Sequence, residues 1–297
     1  RPARGDGEER EMSETVGARV LRIPPGVLSD NRPTERDKKE DALTLAELVR
    51  NRPELFYPTV IRDRKFISVR GLLKERLDAM KDRIACEQRL RQRMIGEIFR
   101  SEEGRYPEGK LEDLFDEKKA SSARLKALEK DEAERDHALL EALKKLNVYT
   151  ELFELVEGCG PALASRIIAC IGIIHQFPTK AKFKAYLGVH CTSDGRFPRR
   201  RKGERANWNE ELGRKAFFLL GDQFNRRPKS VWGQKLLEYK KKFREKHPEE
   251  VVNGKKRYTN GHILKMALWR TRTKFAEWLY VEWKRLEERE SAVEKAA

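Results

Sequence analysis

The middle of the chain carries apolar residues at three- and four-residue steps over two long stretches, with charged residues between them. This spacing places the apolar side chains on one face of an α-helix. The first stretch ends near Ile98 and the second near Leu146, and the polar residues 101–109 separate them. We therefore predict two long amphipathic helices that form an antiparallel helical hairpin or coiled coil over residues 59–148.

Two roles are open for this hairpin: a solvated spacer, or an arm through which copies of the chain associate. We predict no chemistry there, and we expect a homo-oligomer formed through the coiled coil. The apolar residues that define the two helical faces are Val69, Leu72, Leu73, Leu77, Met80, Ile84, Leu111, Leu125, Leu128, Leu139, Leu140, Leu143 and Leu146.

The remaining sequence predicts a mainly α fold. A short strand is expected over residues 18–23, where apolar residues alternate before two prolines. A helix is expected over residues 41–50, with Thr34 as a candidate N-cap upstream. The second half predicts helices rich in aromatic residues, over 208–224, 232–243 and about 261–286. The composition divides the chain into a first domain over 1–58, the hairpin over 59–148, and an all-α domain over 149–290.

The charge of the chain is concentrated in its second half. The 297 residues contain 65 Lys and Arg against 49 Asp and Glu, a net charge of +16. Residues 1–150 hold 33 basic and 31 acidic residues, and residues 151–297 hold 32 and 18, so the halves carry +2 and +14. A field this uneven predicts a polyanionic partner for the second half, either nucleic acid or an anionic membrane surface.

The composition excludes several classes of protein. No apolar run approaches the ~18 residues that a membrane span needs. The four cysteines, Cys86, Cys159, Cys170 and Cys191, lie too far apart in sequence for a disulfide framework or a CxxC zinc site. We expect a cytoplasmic chain in a reducing environment. The sequence begins at Arg1 without a methionine, and we expect it to be a fragment.

A glycine motif opens the second half. Gly158 and Gly160 precede a run of small and apolar residues, an arrangement typical of a helix–hairpin–helix turn. Glycine lets the backbone approach a ligand closely, and the amides at the start of the next helix can hold a phosphate. An ordinary tight turn between two core helices would carry the same glycines, and the local pattern leaves both interpretations open.

A basic segment follows, with six cations within ten residues. Cations this close repel one another, so phosphates are their natural partner, although many charge runs are only solvated. A hydroxyl beside cations suits phosphoryl transfer, which makes Ser193 a candidate nucleophile and Thr192 an alternative, whereas a serine before Asp-Gly is more often a turn former. The six cations are Arg196, Arg199, Arg200, Arg201, Lys202 and Arg205.

Two carboxylates mark the first domain. Asp37 and Asp41 are four residues apart, so both lie on one face at the start of the predicted helix. Such a pair can share a Mg²⁺ ion, which prefers oxygen ligands. Favourable interaction with the helix dipole is the simpler explanation of the two residues.

The last predicted helix separates aromatic residues from cations. Its face with Arg270, Arg272 and Lys274 is predicted to contact a nucleic-acid backbone, while its apolar face packs inward. His190 and His262 have no partners at metal-ligand spacing, and we predict structural roles for both.

Together these motifs resemble the transposases of the insertion-sequence 110/116/902 family. The resemblance is clearest over about residues 150–225, where the glycine turn at 155–164 is followed by Phe-Pro-Thr at 177–179 and Phe-Lys-Ala-Tyr-Leu-Gly-Val at 183–189. Residues 199–209 and 261–283 resemble one branch of that family. Residues 34–50 resemble the end of its RuvC-like domain, where an aspartate precedes alanine at the start of a helix.

The resemblance implies a DNA recombinase with a RuvC-like α/β domain that holds Mg²⁺ through four acidic residues, a coiled coil, and a serine-bearing domain. The serine attacks DNA and forms a phosphoserine link, and a structured guide RNA selects the site. Asp41 matches the last acidic residue. Lys38 occupies the position of the preceding one, so Asp37 is the nearest candidate. Ser193 matches the nucleophile, and the strands that bear the first two acidic residues are expected upstream of Arg1.

The leading hypothesis is therefore a prokaryotic, nucleoid-associated DNA transposase that works by metal-assisted phosphoryl transfer, with DNA and a guide RNA as partners. The alternative is a non-catalytic DNA- or RNA-binding protein derived from such a transposase. A structural coiled-coil adaptor is the third class. The adaptor predicts no retention of nucleic acid, whereas the other two predict binding that weakens steeply with salt.

Overall fold

The structure, a computed structural model, describes residues 21–23, 25–31, 38–58, 61–100, 111–192, 197–198, 208, 213–252 and 255–296. These residues are mostly helical, which confirms the mainly α prediction. The helices are α1 (Pro25–Asp30), α2 (Lys38–Asn51), α3 (Ile61–Arg100), α4 (Leu111–Ser121), α5 (Ala123–Lys144), α6 (Pro161–Ile171), α7 (Lys180–Tyr186), α8 (Lys215–Arg226), α9 (Val231–Lys246) and α10 (Asn260–Ala296).

The strands in the described residues are short. β1 (Leu21–Arg22) pairs antiparallel with β2 (Tyr57–Pro58), and β3 (Glu250–Val252) pairs antiparallel with β4 (Lys255–Arg257). The strand predicted over 18–23 is therefore present at its end, while residues 18–20 lie outside the described ranges. The RuvC-like origin of the first segment and the three-domain division stay predictions.

Helices α3 and α5 lie side by side and run in opposite directions. Arg76 Nε lies 2.8 Å from Asp136 Oδ1, and Glu75 Oε2 lies 2.7 Å from Arg135 Nη1, whereas Arg83 further along α3 binds Glu132, nearer the start of α5. Residues later in α3 therefore pair with residues earlier in α5, as expected for antiparallel helices. These ion pairs flank an apolar seam and add little stability each.

The second predicted helix of the hairpin is two helices. The break falls at Ser122, whose hydroxyl accepts a hydrogen bond from the backbone N–H of Leu125 at 3.3 Å and so caps α5. Serine competes with the helical backbone for such hydrogen bonds, which favours a new helix start over a continuous one. Phe115 of α4 and Leu125 of α5 are both buried.

The principal hydrophobic core takes residues from both halves of the sequence. Trp283 of α10 is fully buried, and its ring centroid lies 6.1 Å from those of Phe66 in α3 and Phe153. Val69 and Leu73 of α3 join the same core. The end of the hairpin formed by the start of α3 and the end of α5 is thus packed against helices of the second half of the chain.

Two helices of the second half differ most from their predicted bounds. The helix predicted over 208–224 runs over Lys215–Arg226, with Trp208 outside it, and α10 extends to Ala296. Trp208 contacts Arg214, whose guanidinium Cζ lies 4.8 Å from the ring. None of the helices in the described part of the chain combines the length and the apolar character that crossing a membrane requires.

Candidate nucleic-acid interface

The glycine motif forms a turn that enters α6. Gly158 has φ +90°, a left-handed conformation, and a Cβ at this position would lie 3.0 Å from the Cβ of Gln223. Glycine is required there both by the backbone and by the close approach of α8. A turn between helical segments is therefore present at the predicted place, and phosphate binding by it stays a prediction.

Gly160 is required for neither of these reasons. It is the N-cap of α6 at φ −66°, it is exposed, and a Cβ would have open space around it. Pro161 at the first helical position and Ala162 are exposed as well, whereas Ile167 and Ile168 further along are fully buried. The start of α6 is thus the end of this helix that a ligand can reach.

A buried segment leads from α7 towards Ser193. Gly188 has φ +66°, and a Cβ there would lie 3.0 Å from the ring of Trp208. The next residue, Val189, is fully buried, and its carbonyl oxygen accepts a hydrogen bond of 2.7 Å from the hydroxyl of Thr273 in α10. Cys191 and Thr192, directly before Ser193, are exposed.

The chain after Ser193 returns to the same helix. The ring of Phe197 stacks on Trp269 with centroids 4.2 Å apart, and Pro198 is buried, its carbonyl oxygen accepting a hydrogen bond of 3.1 Å from Arg214 Nη2. Trp269 and Thr273 are four residues apart, about 6 Å along α10. One turn of α10 therefore holds the chain on both sides of Ser193.

Arg214 contacts residues on both sides of the basic segment, Pro198 before it and Trp208 after it. Its guanidinium lies 4.8 Å from the ring of Trp208 and 5.3 Å from that of Phe218. Cation–π contacts of this kind contribute about 0.5–2 kcal/mol each. Pro198 and Trp208, which flank residues 199–207, are therefore attached to the same arginine.

Most of the predicted catalytic and basic residues lie outside the described ranges. These are Ser193, Asp37, Arg196, Arg199, Arg200, Arg201, Lys202 and Arg205. Their predicted roles stay predictions.

His190 lies three residues before Ser193. Burial lowers the pKa of its imidazole, and the nearby charges of Arg214 and Lys184 lower it further. The ring is therefore neutral at physiological pH. Its Nδ1 atom is buried and makes no hydrogen bond to any residue that the structure describes. The predicted structural role stays a prediction for His190, while His262 stacks on Tyr258 with centroids 5.5 Å apart.

The prediction for Arg272 is wrong, because its side chain points inward. Arg272 is only 6% exposed, and its Nη2 donates hydrogen bonds to the carbonyl oxygen of Phe218 at 2.8 Å and to Asp222 Oδ1 at 3.1 Å. Burial lowers the pKa of this guanidinium to about 10, an effect that Asp222 partly opposes. Gly221 leaves the room for it: a Cβ there would lie 2.2 Å from Arg272 Nε.

The two other cations of α10 differ from each other. Lys274 Nζ lies 2.6 Å from Glu277 Oε2, so its charge is partly neutralised. Arg270 is exposed, with its guanidinium 6.0 Å from the ring of Tyr239 in α9. Nucleic-acid contact by either residue stays a prediction.

Asp41 lies in the first turn of α2 and is half-buried. Among the described residues, no group of three or more His, Cys, Asp or Glu side chains is close enough to hold a metal ion. Carboxylates suit Mg²⁺ by their chemistry, but Asp41 alone does not make a site.

Sequence reasoning missed the anchors Thr273, Trp269 and Arg214. A threonine inside a helix gives no local signal of a tertiary hydrogen bond, and Val189 lies 84 residues away from it. The glycine of the Leu-Gly-Val segment was the available hint, since Gly188 marks a close approach to Trp208.

The comparison with known families bears on this region. The model described as Transposase IS116/IS110/IS902 family matches residues 150–194, a segment that begins before the glycine turn and includes Ser193. No curated protein matches the chain at a significant level. The family match supports the resemblance predicted from the sequence: residues 150–194 of the chain are similar to the Transposase IS116/IS110/IS902 family.

Proposed function

We propose that the chain acts in DNA transposition, with Ser193 as the nucleophile. The family match supports a role as a DNA transposase, and the matched segment contains this serine. The observation that carries the proposal is the attachment of Val189 and Phe197, on either side of Ser193, to one turn of α10. A nucleophile is effective when its hydroxyl is held in a fixed position relative to the reacting phosphate.

The proposed step is a phosphoryl transfer to the serine. The Ser193 oxygen loses its proton and forms a bond to a backbone phosphorus atom, while the bond from that phosphorus to one sugar oxygen breaks. The sugar oxygen leaves with a proton as an alcohol. Cations beside the reacting phosphate stabilise the charge that develops on its oxygens, a role that fits Arg196, Arg199, Arg200, Arg201, Lys202 and Arg205.

Magnesium and a guide RNA belong to the finer part of the proposal. Asp37 and Asp41 would supply two carboxylates to a Mg²⁺ ion, which would stabilise charge on the phosphate when bound. Two carboxylates are fewer than a complete site needs, and we assign no step of the reaction to the metal. The RNA partner rests on the resemblance to the family.

The test is a covalent protein–DNA adduct that survives denaturing electrophoresis. We expect the adduct with the parent protein and its loss in Ser193→Ala. Thr192→Val tests the neighbouring hydroxyl, and Ser165→Ala is the matched control, because Ser165 lies in the same matched segment but is fully buried in α6. An undiminished adduct in Ser193→Ala would remove this residue from the mechanism.

The alternative function is nucleic-acid binding without catalysis. It is favoured by Lys38, which stands where the resemblance implies an acidic residue. It predicts tight, salt-sensitive binding of DNA with no adduct and no effect of added Mg²⁺. Strand exchange that depends on Mg²⁺ would exclude it.

A further inference from the structure

The largest concentration of positive charge in the described part of the chain lies outside the serine region. Residues 226–270 contain 14 basic and four acidic residues, a net charge of +10. They cover the end of α8, all of α9, the β3–β4 hairpin and the first third of α10. Neither the glycine motif nor the basic segment before Trp208 belongs to this region.

Helix α9 displays a row of lysines on one flank. Lys235, Lys242 and Lys246 are exposed, and at 3.6 residues per turn they lie within about 40° of one another around the helix axis. The row is about 16 Å long, since it spans 11 residues at about 1.5 Å each. Arg270 of α10 and Lys242 both lie close to the ring of Tyr239, at 6.0 and 5.9 Å, so Arg270 adds a fourth cation. We call these four residues the α9 cation row.

The cations of this row are not held in ion pairs, although Glu238 lies one helical turn from Lys235 and from Lys242. None of the four makes an ion pair with a carboxylate that the structure describes. The helical hairpin is different, because many of its cations are paired. The paired cations there are Arg76, Lys81, Arg83, Arg91, Lys118, Lys119, Lys130, Arg135 and Lys144. Four unpaired cations held near one another repel, and an anion relieves that repulsion.

The helix that carries the row is fixed at both ends. Ser230 caps its start by accepting a hydrogen bond of 3.0 Å from the backbone N–H of Gly233. Arg244 fixes its end, because it donates hydrogen bonds of 2.8 Å to the carbonyl oxygen of Tyr258 and to Asn260 Oδ1. The cations are therefore presented on a support that is already ordered, which lowers the entropic cost of binding.

We propose that the α9 cation row binds the phosphate backbone of double-stranded DNA, separately from the serine region. A straight row of point charges matches a linear polyanion, in which each strand offers a phosphate about every 3.4 Å along the axis. The apolar face of α9, with Leu236 and Phe243, packs on α10, and the two exposed apolar residues of the helix, Val231 and Leu237, are too few to form a face that inserts into a membrane. The row itself presents no exposed aromatic anchor of the kind that dominates protein–protein interfaces.

The test compares two triple variants that remove the same charge. The first is Lys235→Gln/Lys242→Gln/Lys246→Gln. The matched control is Lys74→Gln/Lys126→Gln/Lys145→Gln, which has the same net charge and changes exposed lysines of α3, of the first turn of α5 and directly after α5. Binding to a fluorescent duplex DNA of arbitrary sequence is measured over a series of salt concentrations. Circular dichroism and the Tm confirm that each variant is folded.

We expect the first variant to bind DNA more weakly, by a factor on the order of 100 at about 0.1 M salt, and its salt slope to fall by about 2–3. The control should keep the slope of the parent protein. Equal slopes in the two variants would overturn the proposal, since the effect would then reflect net charge alone. Arg270→Gln should lower the slope by about one further unit.

Two further probes decide the identity of the partner. A duplex RNA of the same sequence and vesicles of phosphatidylserine and phosphatidylcholine are tested in parallel. If the lysine variant loses only RNA or only vesicle binding, the assignment to DNA is wrong. Failure of this proposal is separable from failure of the serine mechanism, because Ser193→Ala should keep the full salt slope.

Discussion

The hydroxyl of Thr273 donates a hydrogen bond to the carbonyl oxygen of Val189 at 2.7 Å, with both residues buried and 84 positions apart. The same hydroxyl lies 3.0 Å from the carbonyl oxygen of Trp269 one turn earlier. This single side chain therefore joins α10 to the segment that leads into Ser193. A substitution of Thr273 can therefore test whether α10 positions the proposed nucleophile.

We expect Thr273→Val to lower the rate of adduct formation at saturating DNA by roughly 10–100-fold, because a displaced nucleophile loses much of its advantage. The stability should fall by about 1–3 kcal/mol, since the Val189 carbonyl is left without its partner. Thr271→Val is the control: Thr271 is equally buried, but its hydroxyl bonds only to the Ala267 carbonyl at 2.8 Å. Single-turnover rates are compared below the Tm of both variants, and equal rates would show that the anchor does not position Ser193.

Replacing glycine by alanine should change the free energy of unfolding in opposite directions at Gly158 and at Gly71. At Gly158 the backbone has φ +90° and Gln223 is close, so Gly158→Ala should destabilise the protein by about 1–3 kcal/mol. Gly71 is an exposed position inside α3 with open space around a Cβ, so Gly71→Ala should stabilise the protein by about 0.5–1 kcal/mol. Urea unfolding of both variants measures the two changes. A neutral or stabilising effect of Gly158→Ala would mean that the turn tolerates a side chain, and a destabilising effect of Gly71→Ala would contradict the open space around that position.

The contact between Gly221 and Arg272 predicts a coupled pair. Gly221→Ala places a methyl group against the buried guanidinium, and we expect a loss of about 2–4 kcal/mol. Arg272→Met removes the buried charge, while its partner Asp222 remains accessible to water, so its own cost should be small. In the double variant, much of the loss at Gly221 should be recovered. A double-mutant cycle measures the coupling, and simple additivity would exclude direct contact as the cause.

Two buried thiols should make the protein sensitive to alkali. Burial raises the pKa of Cys159 and of Cys170 to about 12, from 9.0 in an unfolded chain. The folded state therefore holds these protons more tightly, so the stability they contribute is complete below about pH 9 and is lost as the pH rises towards 12. We expect the free energy of unfolding to fall by about 1–3 kcal/mol between pH 8 and pH 10.

The check is the same pH difference in the double variant Cys159→Ala/Cys170→Ala, where the fall should be much smaller. Alkylation at pH 8 gives an independent readout. Cys191 is exposed and should be labelled first, whereas Cys159 and Cys170 are buried and protonated. Rapid labelling of the two buried thiols would contradict their assigned positions.

The sequence predicts the parts of the fold that depend on local spacing. Helices α3, α9 and α10 follow from apolar periodicity, and the turn at Gly158 follows from its glycines, because these signals lie within a few residues of their effect. The break at Ser122 also has a local cause, the capping hydroxyl of this residue. Two serines inside a long periodic stretch are nevertheless a weak signal, and the sequence pattern predicts a continuous helix there.

The burial of Arg272 and the contacts made by residues on either side of Ser193 could not be predicted in this way. The burial of Arg272 depends on Gly221, 51 positions earlier, and an arginine on a helix is ordinarily exposed. The stacking of Phe197 on Trp269 likewise joins residues 72 positions apart. Such pairs are set by how helices pack, and a single sequence carries no record of that choice.

The arm formed by α3 and α5 has two regions with different energetics. Near its base, Phe66, Val69 and Leu73 share the core of Trp283, so these turns unfold only when that core does. Further out, Met94 and Leu125 are buried but do not belong to that core. We therefore expect the outer turns to open at a lower free energy than the base, which makes the outer half of the arm the place to graft, trim or label.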